Sequence, residues 1–150
     1  MTAPSQPTHI AVVALVNNGR MLLVHRHPSR ENYPDCWDLP GGHVEPGESA
    51  DSAARRECLE ELAIQIDDAN PFPMACSNPT LRKHAFLATN WVGTPVNAAP
   101  DEHDALGWIT SDELPTLHLA RHPHAAGHAH LVAGASVTVD GRRARRPRRP

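Results

Sequence analysis

Between residues 49 and 62 the chain reads SADSAARRECLEEL, and no other stretch constrains the fold so tightly. Alanine, arginine, leucine and glutamate all favour helix. Ser49 is suited to the N-cap, and Asp51 to the first turn, where negative charge meets the positive end of the helix dipole. A helix here sets Glu57, Glu60 and Glu61 at i, i+3 and i+4, on one face and within about 6 Å of each other. Three carboxylates at that spacing repel, so either a cation neutralises them or water solvates each one. Oxygen-only ligands suit Mg²⁺ or Mn²⁺ better than Zn²⁺. Ala54, Cys58 and Leu62 make a neighbouring apolar stripe that can anchor the helix on a sheet and leave the carboxylates at a cleft edge. On this pattern alone a solvated glutamate-rich face is the simpler reading.

The preceding segment changes that reading. Gly41-Gly42 makes a tight loop where backbone can approach a metal or phosphate closely. From Gly42 to Ile64 the run GHVEPGESADSAARRECLEELAI resembles the Nudix box, G-x5-E-x7-R-E-U-x-E-E-x-G-U, with U apolar. Gly42, Glu48, Arg56, Glu57, Glu60, Glu61 and Ile64 match in register. Two positions depart. Cys58 fills an aliphatic position, a mild change because a buried thiol packs as a small apolar group. Ala63 replaces the glycine near the helix end; if that position is a left-handed C-cap, alanine costs about 1 kcal/mol. The WDLPGG approach and the DEHDALGWITSDELP segment resemble Nudix domains more loosely.

The resemblance implies an α/β (α+β) fold, an α/β/α sandwich with a mixed sheet. It also implies hydrolysis of a nucleoside diphosphate linked to another group, with Mg²⁺ or Mn²⁺ as cofactor. Carried over by position, Glu57, Glu60 and Glu61 are the metal ligands, assisted by the Gly41 or Gly42 carbonyl, and one glutamate orients the water. Glu48 and Arg56 form an ion pair supporting the loop–helix junction. A further base or ligand often comes from a loop beyond the box; Glu102 is the candidate, with Asp101 and Asp104 as rivals.

Substrate selection is less visible. Tyr33, Trp37 and Trp91 are scarce aromatics that stack on a base or pack in the core. Arg26, with His25, His27 and Arg30, makes a basic stretch suited to phosphates. Arg26, Tyr33 and Trp37 are the expected substrate contacts. The SQPWPFPxS motif of NADH-type members is missing downstream of the box, and the layout resembles compact MutT-like (d)NTP pyrophosphohydrolases. ADP-ribose or a nucleotide sugar is the alternative substrate. A non-catalytic sensing module would be expected to lose box carboxylates, and all are kept. An isomerase acting on isopentenyl diphosphate would need a catalytic cysteine, for which Cys36 is placed.

The rest of the chain follows local signals. Residues 9–16 and 20–25 read as strands around an Asn17-Asn18-Gly19 hairpin turn. Residues 26–36 form a loop, 37–47 short strand pieces, 81–92 and 103–110 further strands, and 111–115 a capped turn. A second helix is expected at 118–133 and a short strand at 137–139. In that segment His118/His122 and His124/His128 are i, i+4 pairs able to bind zinc, but no third ligand accompanies them. The expected organisation is a flexible terminus at 1–8, one domain at 9–140 and a disordered tail at 141–150. With 150 residues the chain can bury one core. The tail, GRRARRPRRP, holds six arginines against an overall net charge of −3, so the domain itself is acidic and no specific nucleic-acid partner is expected. Three cysteines without C-x-x-C spacing, no membrane-length apolar run and no signal-peptide pattern lead to a cytoplasmic expectation. The partner is a small nucleotide; a homodimer is left open.

Overall fold

A computed structural model describes residues 6–74 and 78–120. At its centre lies β1 (Thr8–Asn17), whose residues 11–16 are all buried. It pairs in parallel with β7 (Leu81–Ala88) over eight register positions and antiparallel with β2 (Arg20–Arg26) and β4 (Gly41–His43). A central strand covered on both faces needs an unbroken apolar run. The period of two then sorts its residues. Ala11, Val13 and Leu15 join one core cluster with Leu22, Val24 and Phe86; Val12, Ala14 and Val16 join another with Met21, Leu23 and Leu87.

The first cluster is capped by α1 (Ala50–Leu62), which buries Ala53, Ala54, Cys58 and Leu62. The second is covered by a 3-10 turn (Leu114–Thr116), with Leu117 and Leu119 packed beside Leu114. The sheet runs β3-β2-β1-β7-β6, with β4 also on β1 and β9 (His103–Ile109) on β2. Here β3 is Trp37–Asp38 and β6 is Asn70–Phe72. This mixed sheet between two layers is the expected sandwich.

Local chemistry explains the elements that position the site. Asn18 and Gly19 take φ of 53° and 74°, so the predicted hairpin turn forms between Asn17 and Arg20. Ser49 caps α1 by accepting the Ser52 N–H at 3.1 Å. Ala63 ends it at φ 55°, ψ 35°, in the left-handed region that favours glycine.

Two expectations are corrected. The strand at 81–92 is two strands, because Asp68 Oδ1 accepts the N–H groups of Thr89 and Asn90 and turns the chain there. The second piece, β8 (Trp91–Val92), pairs with β5 (Gln65–Ile66) in a separate small sheet. The helix expected from His118 does not start there. His118 accepts the Trp37 N–H at 2.9 Å, Ala120 donates to Trp37 O at 2.8 Å, and Leu119 bridges Trp37 as extended chain. The rest of that segment, its later histidines, the 137–139 strand and the arginine tail lie outside the described residues. The turn expected at 111–115 forms and runs on into the 3-10 turn at 114–116, with Thr110 Oγ1 accepting the Glu113 N–H. Among the described residues no helix is long and apolar enough to cross a membrane.

Candidate active site

Two glycines let β4 lie directly beneath α1. Gly41 has φ 150°, and a Cβ there would collide with the Ala11 carbonyl of the neighbouring strand. At Gly42 a Cβ would come within 2.5 Å of Glu57 Oε1. The helix carboxylates therefore rest against bare backbone. The Gly41 N–H donates to Glu61 Oε2 at 3.2 Å.

Arg56 organises the outer half of this face. Its Nε and Nη2 donate to both Glu48 oxygens at 2.9 and 3.1 Å, and Nη2 also donates to the His43 carbonyl at 2.9 Å. Its Nη1 reaches Glu57 at 2.9 Å and Glu60 at 3.2 Å. The Arg56 hydrogen bonds hold the Glu48 carboxyl below the usual carboxylate range, and the same bonds raise the Arg56 guanidinium. Glu60, over half exposed, stands at the rim, whereas Glu61 is 3% exposed.

The last carbonyls of a helix lack internal partners. Here the 93–102 loop supplies them: Val96 N–H bonds Leu62 O at 3.1 Å and Ala98 N–H bonds Glu61 O at 2.9 Å. That tether carries the start of β9 back over the helix. Glu61, Glu102 and His103 consequently offer one ligand atom each, all within 4.8 Å of one another. Of the rivals to Glu102, Asp104 points away and bonds His25 Nδ1, which holds the Asp104 carboxyl low. Asp101 is exposed in the preceding turn.

Electrostatics mark the inner half. Burial, then the charges of Glu57 and Glu102, push the Glu61 carboxyl up to about 9. One buried carboxylate crowded by two others, beside a neutral histidine, suits a divalent cation, whose charge would reverse that shift. Burial pushes the His103 ring down to about 4, so it is neutral at pH 7.

Beside the cluster opens a cavity of about 320 Å³, lined by Arg26, Tyr33, Asp38, Gly42, Lys83 and His103 among others. Of the residues expected to meet substrate, Arg26 and Tyr33 line it and Trp37 does not. The Trp37 ring packs edge-on to His25, with centroids 5.0 Å apart, and against Gly107. Arg26 is partly engaged: its guanidinium donates to the Asn32 and Tyr33 carbonyls at 2.7 and 2.9 Å, fixing the 27–35 loop. Trp91 stacks on Trp108 at 6.0 Å and packs on the core. Cys36 is buried, and burial first, then Asp38, raises its thiol, the wrong direction for a catalytic cysteine. Sequence reasoning missed Asp38 and His103. Strand alternation was the available signal for His103, since it places residue 103 opposite to Asp104.

Residues 7–134 match the family model of the NUDIX domain. The chain belongs to the Nudix family. It is similar to the CTP pyrophosphohydrolase of Escherichia coli (strain K12), 32% identical over 109 residues, covering 69% of this chain and 78% of that one. It is 31% identical over 108 residues to the NAD-capped RNA hydrolase NudC of Chromobacterium violaceum, spanning 71% of this chain but only 40% of that relative. The MutT NUDIX hydrolase structure from Burkholderia pseudomallei superposes with a TM-score of 0.67 at 34% identity, over 72% of this chain and 86% of that one. This Nudix chain is thus a hydrolase of the pyrophosphohydrolase type.

Proposed function

We propose that the Nudix chain is a divalent-metal-dependent (d)NTP pyrophosphohydrolase that cleaves within the triphosphate. The observation that carries this is the meeting of Glu61, Glu102 and His103, whose ligand atoms lie within 4.8 Å of one another, with His103 also lining a cavity of about 320 Å³. That volume lies at the lower end for small-molecule sites and fits one nucleoside better than two. The similarity to a CTP pyrophosphohydrolase supports the same reading.

The residues divide the work. Glu57, Glu60 and Glu61, with the Gly41 or Gly42 carbonyl, would hold Mg²⁺ or Mn²⁺. A cation held there would supply positive charge against the phosphate oxygens during attack of water on phosphorus. Glu102 would join as a further ligand or orient the attacking water, and the raised carboxyl of Glu61 beside it reflects the negative charge gathered at this point. Glu48 and Arg56 hold the ligand helix against the loop. Arg26 and Tyr33 border the substrate cavity.

The test is a panel of NTPs, oxidised dNTPs, ADP-ribose, dinucleoside polyphosphates and sugar nucleotides with Mg²⁺ or Mn²⁺. The expected result is pyrophosphate and a nucleoside monophosphate from (d)NTPs. A clear preference for ADP-ribose or a sugar nucleotide would replace the substrate assignment. Release of nothing from any of them would overturn the hydrolytic reading. Glu102→Gln should lower kcat by about 10²-fold or more; a near-normal rate removes Glu102 from the mechanism.

A further inference from the structure

One buried polar atom is left over by everything above. Among the described residues, His103 Nδ1 is the buried side-chain nitrogen or oxygen with no hydrogen-bond partner. The His103 residue is 3% exposed. Leaving such a group unsatisfied is costly, so its persistence calls for a partner the protein alone does not provide.

The backbone around His103 is firmly built. Its N–H bonds Ala99 O at 3.0 Å, and its carbonyl accepts from Asn97 Nδ2 at 2.6 Å. Opposite it, β2 carries a register shift between His25 and Arg26. Bulges of this kind re-aim side chains. The result is a ring nitrogen within 4.8 Å of oxygens from Glu61 and Glu102. Two carboxylates and one imidazole make a mixed ligand set. Oxygen ligands suit Mg²⁺, whereas an imidazole suits transition metals and raises affinity along the first-row series.

We propose that His103 is a direct nitrogen ligand to the divalent metal, together with Glu61 and Glu102, and biases this site toward Mn²⁺ over Mg²⁺. This rests on the metal-dependent reading above and adds to it a ligand from outside the glutamate helix.

Pulsed electron spin resonance of the full chain loaded with one equivalent of Mn²⁺ tests the assignment without any turnover. The expected result is a ¹⁴N modulation from a directly bound imidazole, which changes to the ¹⁵N pattern when the protein is made with ¹⁵N-histidine. In His103→Gln or His103→Asn, whichever retains the wild-type circular dichroism, the nitrogen coupling should disappear. The Mn²⁺ Kd should rise about tenfold or more, while the Mg²⁺ Kd changes less than about threefold. Binding of Mn²⁺ with no nitrogen coupling in the wild type would overturn the His103 assignment and leave the glutamate site standing. Coupling that survives in the variant would overturn it too, by assigning the nitrogen to another histidine. Failure of the wild type to bind Mn²⁺ or Mg²⁺ at all would sink both readings.

Discussion

Arg56 grips Glu48 through two side-by-side hydrogen bonds, 2.9 and 3.1 Å long, across the junction between the glycine loop and the glutamate helix. The same guanidinium restrains Glu57 and Glu60, so one side chain sets the spacing of three carboxylates. Forked, charge-assisted pairs of this type fix direction as well as distance. Arg56→Lys keeps the charge and loses the fork. It should weaken Mg²⁺ binding by about 10–100-fold with little change in KM at saturating metal. A Mg²⁺ titration of the rate checks this; an unchanged half-saturation point would show that Arg56 does not organise the ligands.

Stability and activity should move in opposite directions at Glu61. Its buried carboxylate is opposed by Glu57 and Glu102 in the metal-free protein. Glu61→Gln removes that repulsion and keeps a polar group to receive the Gly41 N–H. The metal-free Tm should rise or hold, while kcat falls by at least about 10²-fold. Calorimetry beside a rate measurement decides it, and a lower Tm with normal turnover would contradict the account.

The pH dependence of the metal-free fold follows from two buried groups. Glu61 goes from an ordinary 4.5 up to about 9, so its contribution is complete at low pH and is lost as pH rises toward 9. His103 goes from 6.5 down to about 4, so its contribution is complete above 6.5 and is lost as pH falls toward 4. Between about 4.5 and 6.5 folded and unfolded forms bind equal numbers of protons through these groups, and stability is flat. Above about 6.5 it declines by up to about 1.4 kcal/mol per pH unit. Saturating Mg²⁺ should remove the decline, because the ligands bind as carboxylates. Urea midpoints from pH 4 to 9, with and without Mg²⁺, measure both curves; a metal-free midpoint that climbs above pH 7 would refute the assignment.

Ala63 holds φ 55° without the glycine that this conformation favours. Ala63→Gly should stabilise by about 0.5–1 kcal/mol, the relief of left-handed strain less the added freedom of the unfolded chain. A rise of about 1–4 °C in Tm, with kcat unchanged, is expected for a chain of this size. No rise would show that the helix end relaxes around alanine at no cost.

Local signals carried much of this molecule. The NNG turn, the Ser49 cap and the unbroken apolar β1 run each determine their own geometry, so they were readable before any fold was known. The box glutamates were readable by register, and the structure adds what register leaves out: Glu61 is inside and Glu60 at the rim. The misses share a cause. Strands β5 and β6 are too short to show a period, and their partners sit on distant segments. The break after Ala88 depends on Asp68, across a turn. Trp37 read as a base-stacking ring because a sequence does not say which face of a two-residue strand meets the cavity. His103 gains its meaning only when the 93–102 loop is tied to the helix end.

The parallel pairing of β1 with β7 has a consequence during synthesis. The ribosome releases the apolar β1 well before its long-range partner, from Leu81 to Ala88, which follows only after the whole glutamate helix has emerged. Until then β1 has only the hairpin with β2 and the short match with β4 to shield it. Nascent chains halted between residues 45 and 80 should therefore be the sticky ones, drawing chaperones, while chains extended past residue 90 close the sheet and lose that exposure.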